Sequence, residues 1–221
     1  AGSDAGALET DAGPIDAGQS GAVDAGVAEL DVALRADDDD CLWAIMDRTQ
    51  RELLRFGPDD GADGFIVEVG TDSEQARMGL RFVLDVPQGA RIESAYLTLY
   101  RVGPESNTAP ASTMKVQVFD TASPPACDAS HLHDVPAAHA PEGLWPTWVG
   151  GYVVGPPRQE TVSPELASLV QHIVDKPTWQ AGSAVMLFLS PDSMSDGEFA
   201  QFSDSYAGEY PPRLSLRYRA P

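Results

Sequence analysis

Residues 79–100 read Gly79-Leu80-Arg81-Phe82-Val83-Leu84-Asp85-Val86-Pro87-Gln88-Gly89-Ala90-Arg91-Ile92-Glu93-Ser94-Ala95-Tyr96-Leu97-Thr98-Leu99-Tyr100, and the fold follows from this stretch. Leu80, Phe82, Leu84 and Val86 recur at every second position. After the break at Pro87 and Gly89, Ala95, Leu97 and Leu99 face one way while Tyr96, Thr98 and Tyr100 face the other. A period of two sends successive side chains to opposite sides of the backbone, so each run reads as a strand with one buried face. The same alternation appears in Leu30, Val32 and Leu34, in Met114, Val116 and Val118, in Val185, Leu187 and Leu189, and in Leu214, Leu216 and Tyr218. Residues 65–69 add a short apolar run, and 18 Pro and 20 Gly punctuate the whole. Many short strands with no alternation of strand and helix predict an all-β chain, an antiparallel β-sandwich or jelly roll with one or two short helices in its connections.

One helix is expected over residues 163–176, where Leu166, Leu169, Val170, Ile173 and Val174 follow helical spacing behind Ser163 as N-cap and Pro164 at the first turn. A second is expected over residues 42–55, from the broad apolar face of Leu42, Ile45, Met46, Leu53 and Leu54. Residues 1–29 are a different regime, an acidic tail built on four copies of Asp-Ala-Gly with no aromatic residue. So little apolar surface cannot offset chain entropy, and the tail by itself is expected to be disordered. The folded module is expected over residues 30–221.

The 221 residues carry 14 Lys+Arg against 34 Asp+Glu, a formal charge of −20. Phosphate backbones and anionic membranes are bound through clustered basic residues, so neither nucleic acid nor an anionic membrane surface is an expected partner. No apolar run approaches the roughly 20 residues that span a bilayer, so membrane insertion is not expected. There is no charged n-region followed by an apolar h-region, so a secretory signal, where one existed, is expected to have been removed.

The strand pattern resembles the disaggregatase-related, DNRLRE-type modules, carbohydrate-binding-module-like β-sandwiches of large secreted bacterial proteins. Gly79-Leu80-Arg81-Phe82, the segment Val86 to Ile92, and Ser94-Ala95-Tyr96-Leu97-Thr98-Leu99 carry the first block of this resemblance. Ser163 to Trp179 is similar to the family's helix followed by a tryptophan, and the closing Pro212 to Tyr218 fits as well. The resemblance implies a sandwich, a secreted or cell-surface location and a role in adhesion or carbohydrate recognition. Residues 41–62 and 122–143 depart from the pattern and read as insertions.

Each of those insertions holds one of the 2 cysteines, Cys41 and Cys127. They are too far apart in sequence for a zinc or redox Cys-x-x-Cys motif, and a structural disulfide in an oxidising compartment is the favoured reading. No nucleophile elbow, zinc-protease motif or phosphate-binding loop occurs, so no enzyme is expected. Asp37, Asp38, Asp39 and Asp40 offer a structural Ca²⁺ enough oxygen, the alternative being a solvated acidic turn. His131, His133 and His139 form a second metal candidate, against the plainer reading of histidines displayed to water. For stacking on sugar rings the candidates are Trp43, Trp145, Trp148, Tyr152, Tyr206 and Tyr210. Burial is the alternative for Trp145 and Trp148, and Trp179 reads as a core plug.

The expected function is therefore a secreted or cell-surface, non-catalytic module whose partner is a polysaccharide or cell-surface glycan. The first alternative is a structural subunit of an extracellular filament or surface assembly. Its partners would be copies of itself, the tail being donated to a neighbour through Val23, Val27 and Leu30. A metal-binding surface protein is the lesser alternative. If Cys41 and Cys127 are bridged, their Cα atoms lie about 4.4–6.8 Å apart, and protein unfolded without reductant titrates no free thiol. Two titrating thiols would exclude the bridge.

Overall fold

The computed structural model describes residues 26–34, 39–47, 50–53, 66–72, 74–101, 113–126, 144, 146–149, 159–193, 198–203 and 210–221. In chain order these form β1 (Val27–Ala33), β2 (Asp40–Asp47), β3 (Gln50–Leu53), β4 (Ile66–Asp72), β5 (Glu74–Leu84), β6 (Arg91–Tyr100), β7 (Thr113–Val118), β8 (Thr147–Val149), β9 (Glu160–Val162), α1 (Ala167–Val174), β10 (Ser183–Ser193), β11 (Glu198–Ser203) and β12 (Arg213–Arg219). A small sheet has the order β1-β12-β6-β9, and a large one contains β11-β4-β5-β10-β7-β8 with β2 and β3 attached through β5. All pairings are antiparallel.

Four of these pairs are nested: β1 with β12, β5 with β10, β6 with β9, and β7 with β8. Counting only these eight strands, first pairs with last, second with seventh, third with sixth and fourth with fifth. This is the connectivity of one long antiparallel hairpin rolled into two sheets, a jelly roll. The expected all-β sandwich is what forms.

The core lies between the sheets. From β5 and the segment after it come Leu80, Phe82, Leu84 and Val86; β6 and β12 supply Ala95, Leu97, Leu99, Leu214 and Leu216, all buried. At Gly89 the turn between β5 and β6 takes a φ of +78°, and Ala90 N–H closes the turn on Pro87 C=O at 3.2 Å. Trp179 is 2% exposed and its Nε1–H donates to Val86 C=O at 2.9 Å, so it is the core plug expected from the sequence. Along β10 the alternation is incomplete as a description. Residues 183–190 are all buried, because that strand sits at the centre of the large sheet with both faces covered. On its far side Phe119 packs edge-on against Phe188, and Ser123 exchanges hydrogen bonds with the Ala184 backbone.

Three expectations are corrected here. Residues 42–47 and 50–53 are strand and not helix: β2 pairs with β5 from Asp40 opposite Leu80 to Ile45 opposite Gln75, and on its other edge with β3. The run Leu42 to Met46 is apolar at every position and so satisfies either period; the long edge of β5 decides between them by supplying ladder partners. It follows that residues 41–62 begin as an integral strand of the large sheet. The tail also ends earlier than expected, because β1 starts at Val27. Val27 pairs with Arg219 and Leu30 with Leu216 of the same chain, so these two proposed anchors complete the chain's own small sheet; Val23 lies outside the described residues.

The third correction concerns α1, which spans only Ala167–Val174 and has Leu166 at its N-cap. Ser163 is diverted to β6. The strand β9 is three residues long, so beyond Leu97 the edge of β6 has no strand beside it. Side chains take over: Leu97 N–H donates to Ser163 Oγ at 2.9 Å, Ala95 N–H to Glu165 Oε1 at 2.7 Å, and Ile92 N–H to Gln171 Oε1 at 2.7 Å. Gln171 Nε2 donates to Ala90 C=O at 3.0 Å, and Leu166 N–H to Ala95 C=O at 2.8 Å. A buried amide left without a partner costs about 1–3 kcal/mol, so these side chains replace a missing strand. Replacing Gln171 by Leu, which keeps the volume but removes both of these contacts and its exposed bond to Asp175, should therefore lower unfolding stability by about 2 kcal/mol in urea denaturation. An unchanged midpoint would show that water meets these groups equally well.

Candidate functional site on the small sheet

The outward face of the small sheet is assembled by register. Arg213 lies opposite Thr98, Ser215 opposite Tyr96 and Arg217 opposite Ser94; on the far side of β12, Asp31 lies opposite Ser215 and Glu29 opposite Arg217. Val162 of β9 flanks Thr98, and Glu160 flanks Tyr100. Because Ala95, Leu97, Leu99, Leu214 and Leu216 are drawn inward by burial, the residues between them are forced onto one exposed surface.

Charges on this surface pair across strands. Arg213 is held to both oxygens of Asp31, with Nη2 to Oδ2 at 2.5 Å, and Ser215 Oγ donates to Asp31 Oδ1 at 3.2 Å. Hydrogen bonding to Asp31 raises the pKa of the Arg213 guanidinium above its ordinary value. Arg217 meets Glu29 at 3.5 Å, and Arg219 meets Glu93 at 3.1 Å.

Aromatic residues run beside these pairs. Tyr96 is 38% exposed, and a hydrogen bond to the Glu165 carboxylate raises its hydroxyl pKa. The same carboxylate accepts Ala95 N–H and Ala167 N–H, so it joins the strand edge to the helix start. Further along β6, Tyr100 meets Tyr210 edge-to-face, with ring centroids 5.4 Å apart and an interplanar angle of 64°. Ser203 Oγ donates to Tyr210 C=O and holds that residue at the end of the row. Burial, then the Glu160 charge, raises the pKa of Tyr100.

Of the aromatics expected to stack on sugars, Tyr210 therefore lies beside this face. Trp148 does not: it is 3% exposed and part of the core, because β8 closes the edge of the large sheet and turns its indole inward. Trp43 lies in β2, paired with Arg77 of β5 in backbone register; its side chain, and all of Trp145, Tyr152 and Tyr206, lie outside the described residues. Tyr96 and Tyr100 were not among the expected candidates. The signal was present, since the alternation that buries Ala95, Leu97 and Leu99 turns these two tyrosines outward.

Among the metal candidates, Asp37, Asp38, His131, His133 and His139 lie outside the described residues. Asp39 accepts from Arg81 Nη1 at 2.8 Å, so the cation that meets it here is a guanidinium; Asp40 opens β2. Among the described residues no cluster of three or more His, Cys, Asp or Glu is placed to hold a metal ion. The proposed Cys41–Cys127 pairing also lies outside the described side chains.

A separate charged cluster joins α1 to the end of β7. Asp120 Oδ1 lies 2.6 Å from His172 Nε2 and 2.6 Å from Lys176 Nζ. Burial works against the Asp120 carboxylate, but the hydrogen bonds and charges of Lys176 and His172 together outweigh it and hold its pKa below the ordinary value. His172 and Lys176 stand one helical turn apart, so the cluster reads as a clamp on the last turn of α1.

No protein-family model matches the chain, and no curated protein matches it. Among solved structures the chain is similar to the unassembled KI polyomavirus VP1 pentamer, at 12% identity over 87% of this chain and 92% of that one, with a TM-score of 0.31. It is also similar to turnip yellow mosaic virus, at 12% identity over 79% and 91%, with a TM-score of 0.24. Likeness of this extent bears on neither activity nor partners, and the jelly roll is established by the nested strand pairing.

The Asp120 clamp sets a pH dependence. A carboxylate whose folded pKa is depressed adds stability above its unfolded value of about 3.9, and that stability is lost as pH falls through the folded value. Asp120→Asn should therefore melt below the wild type at neutral pH, with the gap closing as pH drops under about 4. A gap of constant size would mean that the contact acts through packing alone.

Proposed function

We propose that the protein is a secreted or cell-surface, non-catalytic recognition module that binds carbohydrate on the outward face of β1-β12-β6-β9 and serves adhesion. The observation that carries this reading is Tyr96: a large aromatic ring, exposed on a regular sheet, with Ser215, Asp31 and Arg213 in the adjoining rows. An aromatic face offers apolar area to a pyranose ring, and polar groups set around it take up the ring hydroxyls. A tyrosine ring turns on only two side-chain angles, so little side-chain entropy is lost when a sugar settles on it. The resemblance of residues 79–99 and 163–179 to secreted carbohydrate-binding-like modules supports the same conclusion. The acidic, lysine-poor composition and the cysteine pair support an extracellular setting.

A structural subunit is the second reading, and β1 is the observation in its favour. Among the described residues β1 pairs with a strand on one side, β12, and an extended segment of another copy adds to such an edge without altering the fold. The two readings separate experimentally. Tyr96→Ala should weaken retention on an immobilised or in-gel polysaccharide by about five- to thirtyfold, the loss of about 1–2 kcal/mol, while leaving stability within about 0.5 kcal/mol. A wild-type protein blank across a broad glycan array would overturn the carbohydrate reading. Mass that grows with concentration in sedimentation would then favour the subunit.

A further inference from the structure

We infer that the ligand is an uncharged, linear polysaccharide lying along β6 and spanning several sugar units, an inference that rests on the carbohydrate reading above. Two independent features of the face carry it.

The first is charge. Arg213, Arg217 and Arg219 are each engaged by a carboxylate of the same surface, Asp31, Glu29 and Glu93 respectively. A uronate or sulfate group would have to draw an arginine away from its carboxylate, leaving that carboxylate beside a second anion on a chain of charge −20. A neutral hydroxyl displaces nothing. A guanidinium has five N–H donors and a carboxylate about four acceptor positions, so a paired Arg and Asp still offer both donors and acceptors to a diol. Ser215, opposite both Asp31 and Tyr96, and Thr98, opposite Arg213, add hydroxyls of their own.

The second is direction. Tyr96, Thr98 and Tyr100 are successive outward residues of one strand, so they follow a line with steps of about 6.6 Å and a total of about 13 Å. Tyr210 packs against Tyr100 with its ring centre 5.4 Å away, at the far end of the line from Tyr96. One ring of sugar covers Tyr96 alone; contact with the far tyrosines requires further units of the same chain. Arg213 and Asp31 lie on one side of this line, and Val162 and Glu160 lie on the other beside Thr98 and Tyr100.

The test is calorimetric titration of the full chain with neutral gluco-, manno- and xylo-oligosaccharides from monosaccharide to hexasaccharide, with oligogalacturonates of equal length as the charged comparators. Affinity for the neutral series that binds should rise about tenfold or more between disaccharide and hexasaccharide, and high salt should leave it unchanged. Tyr210→Ala should remove about tenfold from the hexasaccharide and nothing from the disaccharide. Binding that is equally tight at every length, or a preference for oligogalacturonate that salt abolishes, overturns this inference and leaves the carbohydrate reading standing. Absence of binding to any sugar overturns both. The wild-type length series needs no variant, so a Tyr210→Ala protein that fails to fold does not remove the test.

Discussion

The edge of β6 beyond β9 is the constraint on which the rest of the molecule depends. A strand at the middle of the fold runs out of a partner after three residues, yet its amides are buried and must be met. Ser163, Glu165 and Gln171 meet them, and to do so the segment after β9 must run close beside β6. That path delays the start of α1 to Ala167 and presses Leu166, Leu169, Val170, Ile173 and Val174 into the end of the sandwich. It also places Trp179 where its indole reaches Val86 C=O. Glu165 ties β6 to α1, because the carboxylate that accepts Ala95 N–H also accepts Ala167 N–H at the start of α1. Core edge and helix thus share one side chain.

Charge follows a second regularity. The chain has few cations, and six of those in the described part are spent on local neutralisation: Arg81 with Asp39, Lys115 with Asp192, Lys176 with Asp120, and the three arginines of β12 with carboxylates of β1 and β6. Exposed pairs of this kind add little stability each. Their effect is on the surface they leave behind, which is rich in donors and acceptors and close to neutral where the arginines lie. Such a surface suits hydroxyl-bearing ligands and suits polyanions poorly.

Much of the architecture was legible from alternation. Leu80, Phe82, Leu84, Ala95, Leu97 and Leu99 are buried as their spacing requires, and the outward set Tyr96, Thr98 and Tyr100 follows from the same pattern. The candidate site was less legible. Composition favoured tryptophans in connections, yet Trp148 is core, because a three-residue strand at a sheet edge turned it inward. Residues 42–46, apolar at every position, carried no period to read and took their conformation from β5.

What the sequence determined by itself is therefore the class of element and the face each strand buries, since period and apolar content are local properties that no partner needs to supply. Which strand lies beside which, where α1 begins, and which exposed side chains become neighbours were decided by the tertiary structure. Those outcomes depend on hydrogen-bond partners that are distant in sequence: Ile92 with Gln171, Asp31 with Arg213, Val86 with Trp179. Ser163 has the local chemistry of a helix cap and serves instead as a substitute for a missing strand. It meets the buried amide of Leu97, and that requirement outweighs a local preference.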